Sequence, residues 1–406
     1  PLLNQRILKA VKQGAQVLSL QSYSDENRYP IVKEVLVQQG DFAPHLLGVV
    51  KLLLENHKLD FDLPKDMLDK INQAKVQPDH QAFAEKLSKS TSKVILMGHD
   101  ILAHPEAALL QYIIRLIAHL VNAQVAEITE NANGAGAWAV GMVPYEPLGD
   151  NRGLSAIEML SSPLKAMFLM NLEPEFDCAD PKRSIETLKE VDEVICLTPF
   201  VTQTMRSYAT LLLPMAPMSE TEGTYLNVLG QSQTVRAATP VHYQSKPAWK
   251  ILRVLGNLLH LEGYQYNTAQ EVLKEAQTME RKGLEPKAFF QQSLQTETHA
   301  KGELMRLAPF AMYASNNVLR RAHALQETVE AKLNEKAILH PGTAEKFGFM
   351  PGALVQVEED TQEERFEVAF DDKIPEGCVL IHRGIQKTMQ MNGPFKAVHL
   401  KAVDKG

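Results

Sequence analysis

The feature that most narrows the fold is an alternation of short apolar runs with longer amphipathic stretches. Lys93-Val-Ile-Leu-Met97 is an apolar run of strand length that ends at Gly98-His99-Asp100. Glu106 to Val121 follows with helical spacing, and Gln124 to Ile128 is a second run of strand length. Two buried strands joined through a helix pair in parallel, because the crossover returns the chain to the same edge. The unit recurs downstream: Lys165 to Met170, a helix over Ile185 to Val191 capped by Ser184, then Asp192 to Leu197 and Leu211 to Pro214. The spacing predicts an α/β protein with doubly wound, Rossmann-like parallel sheets.

The flanks extend this pattern. Leu2 to Gln13 has a helical apolar face, stopped by Gly14, and Ala15 to Leu20 reads as a strand. Further helices are expected over Ile31 to Gln38 and Pro44 to Asn56, and residues 57–92 read as a polar helical excursion. Asn131 to Trp138 reads as a plain loop; its Gly134-x-Gly136 lacks the third glycine and the helix of a dinucleotide fingerprint. Trp249 to His260 is an amphipathic helix, and residues 261–300 read as peripheral and polar. From Lys336 the character changes. Short alternating runs at Ile338, Ala353 to Val357, Phe366 to Phe370 and Val379 to His382 are separated by Pro341-Gly342, Pro351-Gly352 and Glu376-Gly377. They predict a small C-terminal β-barrel. Three domains follow: 1–143, Rossmann-like; 144–300, a second α/β domain; and 301–406, a connector and the barrel.

Composition excludes several classes. The net charge of -7 over 406 residues gives no basic footprint for nucleic acid. The three cysteines, Cys178, Cys196 and Cys378, form no C-x-x-C pair, so no self-contained iron–sulfur or Cys-type zinc site is expected in this piece. The longest apolar stretch, Ala107 to Val121, is interrupted by Gln111, Arg115 and His119, so direct membrane insertion is not expected. The chain opens Pro-Leu-Leu-Asn without an initiator Met or a basic-then-apolar leader, as a piece of a longer protein without a signal peptide would.

One stretch gathers polar groups at the end of an apolar strand. Leu211 to Pro214 leads into Glu220-Thr-Glu-Gly-Thr-Tyr-Leu-Asn227 and then Gln233. Loops at the carboxyl ends of parallel strands are where α/β proteins bind ligands, so Glu220, Gly223, Thr224, Asn227 and Gln233 are the crevice candidates. Glu220 and Glu222 lie two apart, which does not bring both to one reacting atom, and turn and cap roles outweigh catalysis for them. No residue is singled out as catalytic. His99 and His104, five apart, have poor ligand spacing, and no metal site is expected. His382-Arg383 reads as an ordinary barrel rim. Arg320-Arg321 fits either a solvated face or contact with an acidic neighbour.

Several of these stretches together resemble the molybdopterin oxidoreductase superfamily. Within it they resemble the family of the iron–sulfur subunit of bacterial NADH:quinone oxidoreductase (respiratory complex I) that shares this fold. Ala209-Thr-Leu-Leu-Leu-Pro214 with Glu220 to Asn227 and Gln233 is similar to the superfamily signature AD-x-x-LP … E-x-x-GT-x-x-N … Q, with Thr210 in place of Asp. Met312 to Thr328, with Tyr313, Arg320-Arg321-Ala322, Leu325-Gln326 and Thr328, resembles a run of that iron–sulfur subunit, with Asn316 in place of its Asp. His340-Pro341, Ala344, Gly348 and Pro351-Gly352 are similar to the superfamily's C-terminal domain. The resemblance implies iron–sulfur clusters (2Fe-2S and 4Fe-4S) in an upstream region, peripheral-arm subunits of complex I as partners, and a place on the cytoplasmic face of the bacterial inner membrane. The loop Asn171-Leu-Glu-Pro-Glu175 departs from the pterin-binding pattern. It lacks glycine and carries Glu173 and Glu175, which repel phosphate, and Leu229-Gly-Gln-Ser-Gln233 lacks the phosphate-pairing Arg. The resemblance thus implies a cofactor-free scaffold with a vestigial crevice. A molybdopterin enzyme of the formate dehydrogenase or nitrate reductase type is the alternative.

Overall fold

The computed structural model describes residues 2–24, 27–128, 132–142, 153–227, 229–278, 304–359, 362–391 and 397–403. Helix α1 (Leu2–Lys12) leads through Gly14, held at φ +99°, into β1 (Leu18–Gln21). Strand β1 pairs in parallel with β2 (Lys33–Leu36), which lies where a helix over Ile31 to Gln38 was expected. The run Ile31-Val-Lys-Glu-Val-Leu-Val37 is short and β-branched, and the ladder to β1 decides its conformation.

Helices α2 (Phe42–Leu54), α3 (Lys65–Gln73) and α4 (Pro78–Lys89) precede β3 (Val94–Met97); α5 (His99–Leu102) and α6 (Ala107–Val121) then lead to β4 (Gln124–Glu127). Strands β3 and β4 are parallel, as the alternation requires. The core lies between α2 and α6, where Phe42, Val50, Leu53, Leu110, Ile113 and Leu116 are all buried. Each such side chain contributes roughly 1.5–3 kcal/mol through removal from water. Helix α6 ends where Asn122 turns left-handed, φ 53°, and its N–H donates back to the carbonyls of Ala118 and His119. Among the described residues no helix is long and apolar enough to cross a membrane.

A short helix, α7 (Gly134–Ala139), occupies the stretch read as a plain loop. Its glycine pattern has a packing cause. A Cβ on Gly136 would lie 2.0 Å from Asn133 Oδ1. Asn133, itself left-handed at φ 69°, accepts from Leu226 N (2.8 Å) and donates to Thr224 O (3.4 Å). The small residue leaves room for a side chain that pins a distant strand.

After α8 (Ala156–Met159) come β5 (Ala166–Met170), α9 (Pro174–Asp177), α10 (Pro181–Glu190), β6 (Glu193–Thr198) and β7 (Leu211–Pro214). The three strands form one parallel sheet in the order β5-β6-β7. Met167, Leu169, Val194 and Cys196 face Ile185 and Leu188 of α10. The cap of α10 is Asp180, whose side chain accepts from Arg183 N, and not Ser184. Pro181 at the first helical position moves the start upstream, and buried Ser184 donates to Asp180 O instead. The expected loop 214–227 continues as a hairpin of β8 (Gly223–Leu226) and β9 (Ser232–Val235), followed by α11 (Ala248–Leu258) and α12 (Ala269–Ala276).

The C-terminal barrel closes with six strands in the order β10-β14-β11-β13-β12-β15: β10 (Leu304–Leu307), β11 (Lys336–Leu339), β12 (Leu354–Glu359), β13 (Gln362–Phe370), β14 (Cys378–Leu380) and β15 (Ala397–Ala402). Strands β10 and β15 were not expected. β10 carries a charged residue at its centre, Arg306, which is nonetheless buried and donates to Ile381 O. The domain boundaries at 143/144 and 300/301 fall outside the described residues. Cys196 and Cys378 are buried free thiols, pushed by burial up to about 11 and about 12.

Candidate functional site: an ion-paired sheet edge

The sheet β5-β6-β7 presents its carboxyl edge to the segment Ala314 to Arg321. Asn171 ends β5 in the left-handed region, φ 55°, and its Oδ1 accepts from Asn317 Nδ2 at 2.7 Å. That turn drives Glu173 inward until it is fully buried. Two arginines meet it. Arg320 donates to Glu173 Oε2 through Nε (3.1 Å) and Nη2 (2.9 Å). Arg321 reaches Oε1 through Nη2 (2.7 Å) and Oε2 through Nη1 (3.2 Å). Three N–H donors thus converge on Oε2 and an ion-pair contact reaches Oε1, so one carboxylate is held by two guanidinium groups through charge-assisted hydrogen bonds.

The guanidinium groups are also held by partners other than Glu173. Arg320 Nη1 donates to Asp177 Oδ1 (2.9 Å) and Ala314 O (2.8 Å), and its plane lies 4.9 Å from the Phe176 ring. Arg321 Nη1 donates to Asn317 O (2.9 Å), and its plane lies 4.4 Å from the Phe200 ring. Asp177 is oriented in turn, accepting from Glu173 N at 2.8 Å. The Asn317–Arg320 turn that aims these groups is capped by Asn316, which accepts from Val318 N and Leu319 N.

Glu175 is also buried and has no arginine. Burial pushes its carboxyl up from the ordinary range, against a bond from Thr202 Oγ1, with the Glu173 and Asp177 charges adding to the rise. Burial and the Glu175 charge likewise push the Tyr208 hydroxyl up. A carboxyl raised on folding stabilises the fold fully below its unfolded value and loses that contribution as pH rises through its folded value. Glu175→Gln is therefore expected to remove part of the stability loss as pH rises above the ordinary carboxyl range, seen as urea midpoints that fall less on that side. Parallel profiles for the two proteins would contradict this.

Of the crevice candidates, Gly223, Thr224, Asn227 and Gln233 stand on the hairpin, and Glu220 ends the short helical turn Met218–Glu220 just before it. Gly223, Thr224 and Gln233 are in the β8–β9 ladder. Asn227 closes the turn, accepting from Leu229 N (2.9 Å) and Gln231 N (3.0 Å). Glu220 Oε2 accepts from His242 N at 3.0 Å. These are turn and inter-strand roles. His382-Arg383 is not a solvated rim: Arg383 packs on Phe310 at 3.8 Å and bonds His99 Nε2 at 3.1 Å, tying the barrel to α5. Burial, with Arg306 nearby, lowers His382 to about 4. His104 Nδ1 accepts from Glu106 N, a turn role. Among the described residues no group of three or more His, Cys, Asp and Glu is placed to hold a metal ion.

Sequence reasoning named Glu173 and Arg320-Arg321 separately and did not join them. The signal that joins them is charge: Glu173, Glu175 and Asp177 cluster in five residues, and an Arg pair in a short helical turn is their complement.

The model of the molybdopterin oxidoreductase family matches residues 1–258, more than half of the chain. The chain belongs to the molybdopterin oxidoreductase family. It is 22% identical over 326 residues to the F420-dependent formate dehydrogenase subunit alpha of Methanocaldococcus jannaschii, covering 68% of this chain and 48% of that protein. It is 30% identical over 129 residues to the F420-dependent formate dehydrogenase 1 subunit alpha of Methanococcus maripaludis, covering 31% of this chain and 19% of that protein. The chain thus spans about half the length, or less, of these curated relatives. Acetylene hydratase from Pelobacter acetylenicus shares the fold, with a TM-score of 0.66 at 14% identity over 95% of this chain and 69% of that one.

The family name implies a pterin group, and the anionic ends of a pterin dinucleotide do not fit this edge. Both arginines are already engaged by Glu173 and Asp177, and Glu173 fills the space between them. A phosphate brought there would meet carboxylates before it met an unengaged cation.

Proposed function

We propose that this chain is the cofactor-free scaffold part of the iron–sulfur subunit of an NADH:quinone oxidoreductase. The observation that carries the reading is the closure of the sheet edge by Glu173 with Arg320 and Arg321. The arginines come from Met312 to Thr328, the run whose sequence resembles that subunit most specifically. In this reading the chain packs and orients an electron-carrying region outside it. That region would hold the 2Fe-2S and 4Fe-4S clusters, dock against other peripheral-arm subunits and sit on the cytoplasmic face of the bacterial inner membrane.

A second reading is a molybdopterin-dependent oxidoreductase of the formate dehydrogenase type. The named curated relatives favour it over the complex I reading, since both are formate dehydrogenase alpha subunits. Purification of the tagged full-length protein from its own cells separates the two. Co-elution of NADH:quinone oxidoreductase activity supports the first reading. Co-elution of formate-dependent reduction of an artificial acceptor would overturn it in favour of the second.

A further inference from the structure

We propose that the Arg320–Arg321 pair is a preformed oxyanion site of phosphate class that Glu173 fills from within the chain. The inference rests on the reading of this edge as closed from within, and it names what the closure replaces.

Three observations carry it. The pair stands at the carboxyl edge of a parallel sheet, beside β5 and β6, the edge outside which open α/β sheets bind ligands. The guanidinium planes do not depend on Glu173 for their positions, since the Phe176 and Phe200 rings and the carbonyls of Ala314 and Asn317 hold them. The donors are also placed unevenly for a carboxylate. Three N–H groups fall on Oε2, while Oε1 has the Arg321 Nη2 ion-pair contact and no hydrogen bond, an imbalance that the three acceptor oxygens of a phosphate would relieve.

Charge points the same way. With Glu173 in place, its carboxylate and that of Asp177 balance the two arginines. Without Glu173 one positive charge remains uncompensated in a mostly buried site. An anion can enter on the Arg321 side, whose side chain is 32% exposed, while that of Arg320 is 8% exposed. Buried positive charge without a partner destabilises the fold, so an anion that binds the folded state alone restores stability by mass action.

The test is anion rescue of Glu173→Ala in the full chain. Thermal midpoints are measured in sodium phosphate, sodium acetate and sodium chloride at equal ionic strength, beside the wild type. The expected result is a lowered midpoint in chloride that rises saturably with phosphate, half-recovered at about tenfold less phosphate than acetate, with no phosphate-specific rise in the wild type. Recovery equal in all three salts, or equal in the wild type, would overturn the proposal. Rescue by acetate alone would also overturn it, since that describes an ordinary ion pair. If Glu173→Ala does not fold in chloride, the soluble yield on refolding in phosphate against chloride reads the same question, and equal yields overturn the proposal. The outcome is separable from the reading of the previous section: molybdenum in the wild-type protein defeats that reading, whereas absent rescue defeats only this one.

Discussion

Arg320→Ala is expected to lower the unfolding free energy by about 3–5 kcal/mol, read from the midpoint of urea unfolding followed by circular dichroism. Arg320 binds Glu173, Asp177 and the carbonyl of Ala314 at once, and its side chain is almost completely buried. Removing it leaves the fully buried Glu173 with only the partly exposed Arg321. The cost is chiefly that of a buried charge left short of partners, since ion pairs at this depth contribute little net stability when intact. Arg320→Lys is expected to recover only a minor part, because a single ammonium cannot span two carboxylates and a carbonyl with the geometry of a planar fork. The cost of Arg320→Ala should also shrink when Glu173 is already Gln, because the unpaired charge is then absent. A loss below about 1 kcal/mol, the range of exposed pairs, would show that the network is solvated and that the edge is not closed.

Gly48→Ala is the second large effect, expected at about 3 kcal/mol from overpacking and two lost hydrogen bonds. A Cβ at this position would lie 2.1 Å from His80 Nδ1, and His80 is buried between α2 and α4. His80 Nδ1 accepts from Gln77 N (3.1 Å), which fixes its N–H on Nε2, facing His45 Nδ1 at 3.0 Å. Displacing His80 therefore loosens the start of α4 and its link to α2 together. Burial is the leading cause that lowers both histidines below their ordinary value. Their stabilising contribution is present above the unfolded value near 6.5 and is lost as pH falls through the folded values. Gly48→Ala should accordingly lower the urea midpoint at pH 8 and flatten its fall between pH 7 and 5. An unchanged acid limb would mean that His80 stays in place and the helices part instead.

What the sequence disclosed followed period and length. The strand–helix–strand order over Lys93 to Ile128 gave parallel β3 and β4, and the runs at Lys165, Asp192 and Leu211 gave the sheet β5-β6-β7. The barrel was legible where its strands alternate, at β11 to β14. It was illegible at β10, because a buried Arg306 breaks the apolar pattern that marks a strand. The stretch 31–38 misled for the opposite reason: a short apolar run satisfies both periods, and only pairing with β1 decides between them. The hairpin residues Glu220 to Gln233 drew attention by their chemistry, yet local hydrogen bonds within turns and ladders account for them. The Glu173–Arg320 contact spans 147 residues, so no local pattern reveals it. Only a count of opposite charges in two loops that each lacked a partner points to it.

Glu173, Arg320 and Arg321 close this sheet edge to an anionic ligand. The most direct test of that closure is the molybdenum, tungsten and pterin content of the full-length wild-type protein, purified from its own cells and measured by inductively coupled plasma mass spectrometry and by fluorescence of the oxidised pterin. The closed edge predicts iron without molybdenum, tungsten or pterin. Stoichiometric molybdenum or tungsten with a pterin nucleotide would contradict it.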